Sequence, residues 1–353
     1  MKKLFSLMLL SLLFYTNSAS AEEADDQYIY TMTDENGAYI MSRLGRMYTG
    51  DEYISGDNML YEVIFVDDEI RTAIARSNGP EAEDAQSTFS ALSEDNDSKL
   101  LVCMYSTHSD ESYIPGDGES SKLEDAGIYD VGRALKKNLE ENGIQAEYSE
   151  ETFHPHDAGA YRRSRSTAAE FVKKAPDALI DIHRDGIPAE EYETTVQGEE
   201  TSMVRLFVGK SNANAGKNRA FAKKLKAVAD QEYPGLIKDI YIGKGNYNQD
   251  LYPEAILLEF GTHEIDKQRA ISSTEYMANV IKTTLTDNSG AKKSESKEEK
   301  SASAAGIGWL IALSAAAAIA FALFSTGSLR GAGKKLKRGI SEITGGAISK
   351  KKK

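Results

Sequence analysis

The chain has 353 residues, a formal net charge of −13, five histidines and one cysteine. That length exceeds one small domain, the lone Cys103 excludes an internal disulfide framework, and the acidic body is a poor nucleic-acid binder, because phosphate binding needs clustered cations. Stability must then come from packing or from a bound metal.

The first residues, MKKLFSLMLLSLLFYTNSASA, place two lysines ahead of a short apolar core and small residues before an acidic stretch, the pattern of a secretory signal peptide spanning 1–21. Residues 28–77 alternate in β fashion, with YIYTMT, AYIMS and YEVIFV separated by turn signals, and predict a small all-β module. A polar, acidic linker follows at 78–98.

From 99 to 286 the pattern becomes α/β. Strands are predicted at 100–105, 144–149, 178–183, 204–209 and 255–260, and helices at 125–143, 167–176, 218–234 and 273–287. In the first helix Ile128, Val131, Leu135 and Leu139 share one face, and Gly143 closes it. Strands alternating with helices call for a mostly parallel sheet flanked by helices, with ligands beyond the strands' carboxyl ends.

A second linker, 287–305, leads to 306–327, GIGWLIALSAAAAIAFALFSTG, which has no charge and is long enough for a transmembrane helix. The tail, 328–353, carries nine Lys or Arg against one acid, so it is expected in the cytoplasm with the body of the protein outside, anchored to the membrane by the C-terminal helix.

Three predicted strands end in polar chemistry. LLVCMY runs into His108, ALIDI into His183, Arg184 and Asp185, and AILLE ends on Glu259. Two histidines and a carboxylate make a catalytic zinc site with one open position, and a further carboxylate serves as proton carrier. His154 and His156 form a rival pair better suited to a loop near substrate, and His263 lies just past Glu259.

The segments YSTHSDESY, DAGIYDVGRALKKNLEENGI, HPHDAGAYRRSR, APDALIDIHRDGIP, EYPGLIKDI and YNQDLYPEAILLEFGTHE resemble, in order, the stage II sporulation protein P family of cell-wall amidases. The resemblance implies a Zn2+-dependent N-acetylmuramoyl-L-alanine amidase fold acting on peptidoglycan, with endopeptidase activity as an addition and a lytic transglycosylase as partner. It implies His108 and His183 as zinc ligands and Glu259 as the catalytic acid. The third ligand is Glu111, in THSDESY, or Glu124, at the start of the first helix; the motif favours Glu111. Arg184, Asp185, Tyr247 and Asn248 match positions that orient substrate or support the site. Ser106 stands where the family usually has a histidine, and the anchor differs from the family's usual N-terminal helix. The competing expectation is a non-catalytic, membrane-tethered wall-binding or scaffold protein that uses the β module to recruit partners.

Overall fold

The computed structural model describes residues 28–81, 100–157 and 159–286. The expected signal peptide, the second linker, the membrane span and the basic tail lie outside them, as does most of the first linker. Among the described residues no helix is long and apolar enough to cross a membrane.

Five buried strands form the centre: β6 (Leu101–Tyr105), β8 (Ala178–Asp185), β11 (Val204–Gly209), β12 (Ile237–Gly243) and β13 (Ala255–Thr262). Their side chains alternate between two faces, as the pleat requires. Val102 and Met104, Ile180 and Ile182, Leu206 and Val208, and Ile256 and Leu258 share one apolar cluster. Helices α1 (Gly127–Glu141), α3 (Ala215–Glu232) and α4 (267–286) contribute to that cluster. The four apolar residues expected on one face of α1 are all fully buried there. Its end is a Schellman motif: Gly143 has φ 82°, its N–H donates to the Glu140 carbonyl, and Ile144 N–H donates to that of Leu139.

The opposite face is covered in two parts. Helix α2 (Ala160–Val172) packs there with Cys103, Tyr105, Leu179 and Ala255. Phe207, Tyr241 and Leu257 are covered instead by the N-terminal strands β1 (Ile29–Asp34), β2 (Tyr39–Leu44), β3 (Glu52–Ile54), β4 (Met59–Asp67) and β5 (Thr72–Pro80). These strands do not stand apart as a module. β3 pairs antiparallel with β12, so all belong to one 11-stranded sheet, ordered β2-β1-β5-β4-β3-β12-β11-β13-β8-β6-β7, with β7 at Gln145–Tyr148.

The sheet is therefore mixed rather than mostly parallel. β7, β6, β8 and β13 run parallel as expected, but β11 pairs antiparallel with β13, and most N-terminal pairings are antiparallel. The sequence patterns also missed β12 and the hairpin of β9 (Glu193–Val196) and β10 (Glu199–Ser202). Helix α2 begins earlier than expected, and its first buried positions, Ala160 and Ser164, are small and give little apolar periodicity.

Candidate metal centre and catalytic cleft

Three parallel strands deliver their carboxyl ends to one place. His108 lies three residues beyond β6, His183 sits near the end of β8, and Glu259 is the register partner of His183 on β13. Alternation puts Asp181 and His183 on the face that carries Leu179, and Glu259 on the face that carries Leu257, between α2 and the N-terminal strands. Just past Glu259 the β8–β13 register shifts, and Gly261 takes φ 72° there; a Cβ on it would come within 2.7 Å of the Ser202 hydroxyl. The bulge ends regular pairing beside the acid, a common device at active sites.

His108, Glu111 and His183 are all buried, and one ligand atom from each lies within 4.8 Å of the others. Glu111 Oε1 is 3.3 Å from His108 Nδ1 and 3.4 Å from His183 Nδ1. Its other oxygen accepts from the Arg184 backbone N–H at 2.9 Å, which fixes the carboxylate's orientation. Glu124 is exposed and outside the group, so the structure places Glu111 with the histidines.

Donor and acceptor accounting shows that this trio suits a cation. His183 Nε2 lies 3.0 Å from Asp181 Oδ1 without a hydrogen bond to it, and Nδ1 lies 3.4 Å from Glu111 Oε1 on the other side of the ring. With a carboxylate near each ring nitrogen, the ring is suited to carry positive charge or to join Glu111 on a cation. Without metal a second proton supplies that charge: burial opposes the charged imidazole, but Asp181 and Glu111 outweigh it and hold the His183 pKa well above its usual value. His108 is pushed down to about 4, first by burial and then by neighbouring His156, and so stays a neutral donor ligand. Asp181 is itself pinned by Thr107, through the backbone N–H at 2.8 Å and the hydroxyl at 2.6 Å.

Glu259 is 14% exposed. Its Oε2 accepts from the Tyr192 hydroxyl at 3.0 Å and lies 3.7 Å from Arg205 Nη1. Tyr192 also reaches Asp185, at 3.1 Å, and Arg205 is fully buried between Asp185 and Asp239, each at 2.7 Å. Burial and then the charge of Asp185 push Glu259 up to about 8, against the opposing pull of Arg205 and Arg43. A carboxyl poised near neutrality is suited to take and return a proton.

The cleft that opens on these groups is also lined by Arg43, Leu44, His156, Tyr161, Arg184, Asp185 and Tyr247. His156 stacks on His108 with centroids 3.8 Å apart and contacts Asp110 at 3.1 Å, so it holds the ring of His108 rather than joining the trio. Burial raises Asp110, but hydrogen bonds from His156 and Ser121 win and hold it at about 2. His154 is half-buried with its Nε2 3.1 Å from the Leu123 carbonyl oxygen, and His263 Nε2 lies 3.7 Å from Glu264. Asn248 is not a cleft residue: its amide donates to the Tyr161 carbonyl and the Ser164 hydroxyl, which anchors α2. Ser106 hydrogen-bonds Tyr148 at 3.0 Å, away from the trio.

Sequence patterns missed Asp181, Tyr192, Arg205 and Asp239, although charges inside the apolar runs ALIDIH, VRLFVG and IKDIYIG were a usable signal. They also missed Arg43 and Leu44, which no local pattern connects to the site.

The family model for stage II sporulation protein P matches residues 54–282, which include all the site residues above except Arg43 and Leu44. The chain belongs to the stage II sporulation protein P family. Stage II sporulation protein P of Bacillus subtilis (strain 168) is 30% identical over 182 residues, an alignment covering 46% of this chain and 45% of that protein. The chain thus spans under half the length of that family relative. Among solved structures, it is similar to the N-acetylmuramyl-L-alanine amidase Ami1 of Mycobacterium smegmatis, with 15% identity, TM-score 0.36, and 53% of this chain and 97% of that one covered. The CwlD amidase from Clostridioides difficile, solved in complex with the GerS lipoprotein, is similar at 11% identity, TM-score 0.36, with 53% and 99% covered.

Proposed function

We propose that this member of the family is a zinc-dependent peptidoglycan amidase that cuts the amide between the lactyl group of N-acetylmuramic acid and the L-alanine of the stem peptide. The observation that carries this reading is the buried His108, Glu111 and His183 trio opening on the same cleft as Glu259, a carboxyl held near neutral pH. His108, Glu111 and His183 would hold the ion. When bound, zinc supplies a Lewis acid that polarises the amide carbonyl and makes water nucleophilic at neutral pH.

The chain's own groups do the remaining work. Glu259 accepts the proton of the attacking water and returns it to the departing amine nitrogen. Tyr192 and Arg205 keep the carboxylate aimed into the cleft while it carries charge. His156 and Tyr161 pack around His108 and hold its ring in place.

Removing divalent metal with a chelator is expected to abolish release of stem peptides from wall fragments, and added zinc to restore it. His183→Ala is expected to resist restoration at the same zinc concentration. Full turnover by the chelated protein, read as newly freed peptide amino groups, would overturn the reading.

A further inference from the structure

The proposed reaction gives the cleft two unlike sides. The scissile carbonyl turns to His108, Glu111 and His183, where His156 and Tyr161 pack on the two imidazoles. The departing nitrogen turns to Glu259. The Cα of the residue that carries this nitrogen is one bond away, about 1.46 Å, so its side chain lies close to the surroundings of Glu259.

Those surroundings are apolar where they line the cleft. Leu257 stands two residues before Glu259 on the same strand face, Phe207 is its register partner on β11, and Leu44 ends β2. Leu257 and Phe207 are only 4% and 2% exposed, whereas Leu44 is half-buried and keeps surface to offer. Leu44 is also held in place. Its N–H donates to Asp185 Oδ1 at 3.2 Å, and the nearby Ser42 carbonyl accepts from buried Arg205 at 3.1 Å. Its side chain lies directly on Gly186, where an added Cβ would come within 2.4 Å of Cδ2 and 3.1 Å of Cγ. The absence of a side chain at Gly186 is what admits Leu44 to the cleft.

The polar groups beside Leu44 are engaged with the protein. Asp185 Oδ1 accepts from the N–H groups of Leu44 and Gly186, and Oδ2 accepts from Tyr192 and Arg205. The Arg43 guanidinium lies against the rings of Phe207 and Tyr241, donates to the Arg46 carbonyl, and acts on buried Asp51. Contact with a substrate side chain at this wall therefore falls to Leu44.

Resting on the proposed reaction, we propose that Leu44 is a specificity-determining residue that limits the amine-side residue of the substrate to a small apolar side chain, about the size of a methyl group. A fixed, branched side chain gives a methyl group an apolar contact. A larger side chain has to displace Leu44, which Gly186 below it and the anchored β2 backbone prevent. A polar side chain would leave water without finding a partner. The N-terminal strands then form the substrate-reading wall of the cleft.

The test is calorimetric titration of zinc-loaded, full-length protein in the Glu259→Gln background, which prevents turnover. The probes are three muramoyl-peptides that differ only in the first residue: glycine, L-alanine or L-leucine. The L-alanine form is expected to bind about fourfold tighter than the glycine form, the worth of burying one methyl group. It is expected to bind about tenfold tighter or more than the L-leucine form, the scale of overpacking a filled site. Adding Leu44→Ala is expected to remove the penalty against L-leucine and to narrow the gap between L-alanine and glycine. An unchanged ranking in Leu44→Ala, equal losses for all three peptides, or no preference among them in the parent protein overturns the assignment. Should Leu44→Ala fail to fold, Leu44→Val carries the test, because an undiminished penalty against L-leucine in that variant also overturns it. Failure of the wild-type protein to release peptide from the L-alanine probe would overturn the proposed reaction instead, and leaves the binding ranking that reports on Leu44 unaffected.

Discussion

Glu259→Gln is expected to lower peptide release by about 100- to 10,000-fold, the usual contribution of a positioned general acid–base group, while the His108, Glu111 and His183 trio still binds zinc. The same change is expected to stabilise the metal-free protein at high pH. Burial and Asp185 raise the folded-state pKa of Glu259 from 4.5 to about 8. The folded chain thus holds this proton more tightly than the unfolded chain does. Below pH 4.5 both states are protonated and no penalty exists. As pH rises from 4.5 to 8, the unfolded state ionises first and stability drains away, on the order of a few kcal/mol in total. Gln keeps the shape of the neutral acid and does not titrate. The thermal midpoint of Glu259→Gln in chelator should therefore exceed that of wild type at pH 8 and match it near pH 4. A variant that keeps its activity, or that is less stable than wild type at pH 8, would contradict the assigned role.

Deleting residues 28–81 is expected to destroy the fold. Taken from sequence alone, residues 28–77 form a detachable module whose loss would leave an enzyme able to cut soluble fragments. The structure gives them a different job. They cover Phe207, Tyr241 and Leu257 on the central strands and Tyr247 in the loop after β12. Four large side chains at about 1.5–3 kcal/mol each amount to roughly 6–12 kcal/mol of lost burial, comparable with the whole ~5–15 kcal/mol stability of a typical domain. The deletion also leaves the edge of β12 unpaired and takes the Ser42 carbonyl from fully buried Arg205. Soluble yield and thermal unfolding of the truncated chain, compared with the full chain, measure this. A soluble, cooperatively unfolding and active truncation would contradict it.

The contrast between these two regions shows what a sequence makes legible. The meeting of His108, His183 and Glu259 at one cleft is legible in the sequence because each follows or ends an apolar run, and the carboxyl ends of parallel strands meet by geometry. Glu111 over Glu124 followed from the motif, and the structure brings Glu111 to the histidines because the loop after β6 turns back on itself, with Glu111 N–H bonded to the His108 carbonyl. Asp181 was readable in principle, since a carboxylate in the middle of a buried strand requires a partner. Arg43 was not readable. It reaches the cleft through the pairing of β3 with β12 and the bonds of Ser42 and Leu44 to Arg205 and Asp185, contacts between segments far apart in sequence that no local periodicity encodes. The mixed sheet has the same origin, because the direction of β11 relative to β13 is set by how chain segments cross, not by their apolar patterns.

The bond that is cut distinguishes an amidase from any other wall hydrolase. Purified cell-wall sacculi incubated with zinc-loaded full-length protein, with Glu259→Gln as control, give a direct answer when the fragments are weighed by mass spectrometry. The expected products are glycan strands whose muramic residues carry free lactyl carboxyl groups and intact stem peptides that begin with L-alanine, both missing from the control. Fragments cut only within the peptide or the glycan, or no new fragments from zinc-loaded protein, would contradict an amidase built on His108, Glu111, His183 and Glu259.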